Sequence, residues 1–201
     1  MLRVTKLSAW RYKRYVFVGF VLVLSWFSMM IVHESGHVIH SWFSGGVVKQ
    51  VILYPTVFSQ TEMKINPYPI FVAWGGMLWG TIIPLILLGI VRGFKISSWY
   101  IFQFFAGFCF VANGFYFIIG GIDSTGDPGD IIFYGISSIL VIIAGIIEAC
   151  IGFLLWHGLS KAFGIGVPGS RTNLNHFGCV FIVLIMILLI EIFMKGRFLF
   201  S

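Results

Sequence analysis

The stretch YVFVGFVLVLSWFSMMIVHESGHVIHSWF, residues 15–43, decides the fold. Its first 18 residues carry no charge. As a helix they would extend about 27 Å, close to the ~30 Å thickness of a bilayer core. The stretch therefore reads as a membrane helix. Yet its end packs His33, Glu34, His37 and His40 into eight residues. Ionisable groups are costly in hydrocarbon, and their default reading there is functional.

The rest of the chain agrees with a membrane setting. Of 201 residues, 59% are hydrophobic and 10% charged, where soluble domains carry about 25% charged. Further apolar runs at Ile70–Val91, Ser97–Ile119, Ile131–Leu155 and Phe177–Phe193 bring the count to about five transmembrane helices. The expected fold is an all-α polytopic membrane protein, one domain over residues 1–201. Between the first two runs, GGVVKQVILYPTVFSQTEMKI (45–65) is rich in Val, Ile and Thr. It reads as a short interfacial β-hairpin, which must lie among headgroups or against protein.

A net charge of +6 raises the question of nucleic acid. The basic residues sit at the ends of apolar runs, so they read as topology signals and contacts with the lipid bilayer instead. Alternating spans put Arg3, Lys6, Arg11, Lys13, Arg14, Arg92, Lys95, Lys161 and Arg171 on one side. Lys49, Lys64, Lys195 and Arg197 fall on the other. The positive-inside rule then places the N-terminus in the cytosol. Cys109, Cys150 and Cys179 lack metal-type spacing and read as small hydrophobes.

HESGH (33–37) is H-E-x-x-H. On a helix, residues four apart lie one above the other, so His33 and His37 can offer nitrogens to one Zn2+. Glu34, beside the first ligand, can act as general base toward water. Chance would produce the pattern roughly once in several hundred chains of this composition. The blander reading is a satisfied buried polar cluster. His40 would sit about 10 Å of rise from His33 and reads as a supporting or interfacial group.

A catalytic zinc takes three protein ligands and leaves one position open. The acidic loop GGIDSTGDPGDI (120–131) returns to the same side as His37 after two crossings. Asp127 is the preferred third ligand and Asp130 the alternative, with Asp123 or none remaining. Helix capping competes for these aspartates: Asp127 as a cap before Pro128 as the first helical residue. Glu148, counted from Ile131, falls about 26 Å away, near the opposite face. Asn113 either bonds a neighbouring helix or orients a substrate carbonyl and its developing oxyanion. Gly76 and Gly80 read as a packing face. His157 and His176 read as solvated.

On these residues the chain resembles the site-2 protease family of intramembrane zinc metallopeptidases. HESGH, the strand segment GGVVKQVILYP, the small-residue run VAWGGMLWG and the later aspartate motif carry the resemblance, over roughly residues 25–135. It implies His33 and His37 as ligands, Glu34 as base and an aspartate as third ligand. GDPGDI stands where the family has Asn-Pro-Asp-Gly or Leu-Asp-Gly. The family's site lies nearer the cytosolic face, whereas the charge count puts this one nearer the outside. The expected activity is zinc-assisted hydrolysis of a membrane protein or peptide substrate. The rival is a non-catalytic metal-binding scaffold, degenerate protease or transporter subunit.

Overall fold

The computed structural model describes residues 2–54, 59–165, 175–193 and 197–199. The chain is mostly helical. Helix α1 (Leu2–Phe43) is followed by strands β1 (Val47–Ile52) and β2 (Gln60–Ile65). Helices α2 (Pro69–Gly93), α3 (Trp99–Asp123), α4 (Gly126–Phe133), α5 (Ser138–Trp156), α6 (Leu159–Ala162) and α7 (Asn175–Phe193) come next, then strand β3 (Arg197–Leu199). Among the described residues four helices are long and apolar enough to cross a membrane: Tyr12–Phe43, α2, α3 and α5. The expected fifth, α7, has 19 residues, and His176–Ile190 is the apolar stretch of it whose side chains are described.

Successive long helices run in opposite directions, which gives the molecule two ends. The close of α1, the start of α2, the close of α3 and α4 meet at one. The start of α3, the close of α5 and the start of α7 meet at the other, where Phe17, Tyr100, Phe163 and Val180 form an apolar cluster. Small residues let the helices approach. A Cβ on Gly36 of α1 would strike the Gly75 carbonyl of α2, and one on Gly114 of α3 would stand 2.6 Å from the Gly145 oxygen of α5. Backbone-to-backbone crossings of this kind maximise dispersion contact where hydrophobic driving force is weak.

The expected hairpin is present and gains a third strand. The sheet order is β2-β1-β3, with both pairings antiparallel. Register irregularities between Val47 and Gln50 break strict alternation, so Val48 and Val51 both face inward. They pack with Leu53 against Phe27, Met30 and Val38 of α1 and Leu184 of α7. The sheet thus lies against protein, which meets the need to cover backbone groups near hydrocarbon. With β1 paired on both sides, β2 keeps one edge unpaired among the described residues.

One boundary differs from the sequence reading. The apolar run expected as one span from Ile131 is broken: α4 closes at Phe133, Gly135 takes φ +101°, and α5 begins at Ser138. Only glycine tolerates that backbone cheaply. Glu148 consequently lies about 15 Å into α5, mid-helix and not near the far face. It is 9% exposed, and its Oε2 has no hydrogen-bond partner among the described residues.

Candidate metal centre

Helical periodicity puts His33 and His37 on one face of α1, with Glu34 beside them, all three buried. Their ligand-type atoms lie within 4.8 Å of one another. The face is open to them because α2 has glycine opposite. A Cβ on Gly76 would stand 2.5 Å from His33 Nε2 and 2.6 Å from His37 Nε2. Gly76, read from sequence as a packing residue, is therefore a wall of the site.

Each imidazole is oriented from behind. His33 Nδ1 donates to Asn113 Oδ1 of α3 at 2.9 Å. His37 Nδ1 donates to the Val72 carbonyl in the first turn of α2 at 2.8 Å. With Nδ1 carrying the hydrogen, Nε2 is the lone-pair nitrogen on both rings. Asn113 is 2% exposed and its Nδ2 has no partner among the described residues. Its Oδ1 lies on a histidine, so of the two roles considered it fills the helix-bridging one.

Asp127 completes the arrangement. Its Oδ2 lies 3.0 Å from His33 Nε2 and 3.2 Å from His37 Nε2. The turn from α3 to α4 brings it there. Ser124 at φ +54° and Gly126 at φ +62° reverse the chain, and Thr125 N–H bonds the Gly120 carbonyl. The residue capping α4 is Thr125, not Asp127, so the capping reading of Asp127 gives way. Its carboxylate faces the imidazoles, while its N–H donates to the Tyr116 hydroxyl at 3.0 Å. Burial pushes the Asp127 carboxyl up, but with a proton on the cluster the charge of His37 outweighs burial and holds the carboxyl well below the usual carboxylate range. Asp130 and Asp123 are exposed and not brought to the rings.

The donor set fits a cation. Three acceptor atoms converge: two Nε2 lone pairs and a carboxylate oxygen. Such a cluster requires a positive charge at its centre, a proton or a metal ion. A tetrahedral zinc with bonds of about 2.0–2.1 Å has ligand-to-ligand edges of about 3.3 Å. The observed 3.0 and 3.2 Å separations are close to such edges.

Other side chains complete the surroundings. Thr61 of β2 donates its hydroxyl to Glu34 Oε2 at 2.5 Å, which ties the sheet to the carboxylate. The Tyr116 ring stands edge-on to His33 at 5.7 Å between centroids. His40 turns away: its Nδ1 donates to the Phe71 carbonyl and its ring stacks on Phe71 at 4.1 Å. Sequence reasoning passed over Thr61 and Tyr116. Nothing local marks a tyrosine ten residues before Gly126 or a strand threonine as neighbours of a helix motif. The chain matches no protein-family model, no curated protein and no solved structure.

Proposed function

We propose that the chain is a multi-pass intramembrane zinc metallopeptidase, similar in mechanism to the site-2 proteases. The single observation that carries this reading is the convergence of His33 Nε2, His37 Nε2 and Asp127 Oδ2 beside the buried Glu34 carboxylate. His33, His37 and Asp127 would hold the ion. Zinc in that position supplies Lewis acidity toward water and a peptide carbonyl.

The chain's own groups do the rest. Asn113 and the Val72 carbonyl fix the imidazole tautomers, an orientation worth roughly 10–100-fold in metal affinity at comparable sites. Glu34 accepts a proton from the attacking water and returns it to the leaving amine. Thr61 holds one oxygen of that carboxylate, leaving the other for proton transfer. A helical substrate hides its carbonyls and must unwind to react. The edge of β2 left unpaired among the described residues suits an extended segment by strand addition, and β2 carries Thr61. The charge distribution favours an N-terminus in the cytosol.

The test is Glu34→Gln, assayed on single-span reporter peptides co-reconstituted with the protein, with bound zinc measured alongside. Cleavage should fall by about 10²–10⁴-fold while zinc is retained. Undiminished cleavage rules out Glu34 as base. Zinc bound by the wild type with no turnover of any reporter supports the scaffold reading instead.

A further inference from the structure

The other end of the molecule carries a second polar feature that the peptidase reading does not use. Where α2 gives way to α3, Arg92, Lys95, Ile96, Ser97 and Trp99 line an open cleft of about 490 Å³. That is within the usual size of small-ligand sites, about 300–1,000 Å³. The Arg92 guanidinium is fixed on two sides: it donates to Gln103 Oε1 and lies over the Trp99 ring, 5.1 Å from its centroid. Neither Arg92 nor Lys95 joins an ion pair among the described residues. Of the described carboxylates, Glu34, Glu62, Asp123, Asp127 and Asp130 belong to the opposite end, and Glu148 to the middle of α5.

The backbone adds an independent sign. Helix α2 ends in a Schellman turn, with Ile96 N–H on the Val91 carbonyl and Lys95 N–H on the Arg92 carbonyl. The residue after the cap in this motif is left-handed and usually glycine. Here it is Lys95, at φ +53°. Two described non-glycine residues adopt such a backbone, and the other, Ser124, turns Asp127 onto the imidazoles. A lysine where glycine is easier carries a conformational cost, and this lysine lines the cleft.

The cleft sits at the ends of two long apolar helices. In a bilayer, tryptophan and basic residues gather at that level, beside the lipid phosphates. We propose that the α2–α3 turn binds the phosphate headgroup of an anionic phospholipid through Arg92, Lys95 and Ser97, with Trp99 anchoring the turn at headgroup depth. His176 of α7 bonds Ser97 Oγ at 3.2 Å and Tyr100 Oη at 3.1 Å, so it braces the cleft from behind. The proposal rests on the four helices lying in a bilayer and not on peptidase activity.

The experiment uses the full chain purified in an uncharged detergent. It is titrated with dioleoylphosphatidylglycerol, dioleoylphosphatidylcholine or inorganic phosphate, and native mass spectrometry counts the lipid retained. The wild type should retain the anionic lipid at least about fivefold better than the zwitterionic one. Lys95→Gly should weaken that retention by about fivefold, with an unfolding temperature equal to or above wild type, because glycine suits the left-handed position. Arg92→Gln should weaken it by a similar factor. Equal retention of the two lipids overturns the proposal, as does undiminished retention by Lys95→Gly. Displacement of the lipid by millimolar inorganic phosphate also overturns it, by making the cleft a site for soluble phosphate.

Discussion

The crossing of α1 with α2 and the crossing of α3 with α5 are built from the same residue type and end differently. In both, glycine lets two helices touch backbone to backbone. Between α3 and α5 the room is filled by the partner helix: Gly107 meets the Trp156 indole and then the Gly152 oxygen, and Gly114 meets the Gly145 oxygen and Ala149 nitrogen. Between α1 and α2 the Gly36–Gly75 contact does the same, but one residue on, Gly76 leaves room for two imidazoles. The first crossing is cohesion alone. The second turns close approach into a chamber for polar groups. Small residues in a membrane helix are thus ambiguous until the opposing surface is known.

The sharpest way to break this comparison is Gly76→Ala. The added methyl would meet His33 and His37 nitrogens at 2.5–2.6 Å, so the rings must turn. Bound zinc, measured by elemental analysis, should fall from one ion per chain to near zero, with helical content by circular dichroism unchanged. Zinc retained at the wild-type level would mean Gly76 only packs.

A smaller effect is expected from behind the ring. Asn113→Ala removes the acceptor of the His33 Nδ1 hydrogen. Zinc affinity, from chelator competition, should drop by about 10–100-fold, and Asn113→Asp, which keeps an acceptor, should recover much of it. The least effect on the metal is expected at the other crossing. Gly114→Ala meets backbone atoms at 2.6 Å, so α3 and α5 must separate. It should cost about 1–3 kcal/mol of stability in detergent unfolding while one zinc per folded chain remains. Loss of zinc without loss of stability would reverse the roles assigned to the two crossings.

These residues also mark how much was legible in advance. His33, Glu34 and His37 could be read because the helical period puts the two histidines on one face and the glutamate next to the first of them. The pairing with an aspartate followed from span parity, but the choice among three rested on loop chemistry. It is set in space by two left-handed residues, Ser124 and Gly126, and only the glycine hints at that from sequence. Gly76 was misread because its role depends on what a helix distant in sequence presents to it. The fourth span was begun too early because Ile131–Ile136 is apolar throughout, save for Gly135, and hydropathy does not register a turn. Strand β3 is three residues long, too short for any periodicity. His176, expected in solvent, is held by Ser97 and Tyr100, a contact across 76–79 residues of chain.

The length of α1 has a mechanical consequence. Its uncharged part, Tyr15–Val32, has 18 residues, about 27 Å of helix, nearly the ~30 Å of a hydrocarbon layer, and the helix runs on to Phe43. A thicker or thinner layer is met by leaning, by local change in the lipid or by protrusion. Because Asn113 grips His33 and Asp127 grips both His33 and His37, the helices that carry them are geared to any lean of α1. Bilayer thickness thereby becomes a variable that sets the height of the imidazoles above or below the water boundary.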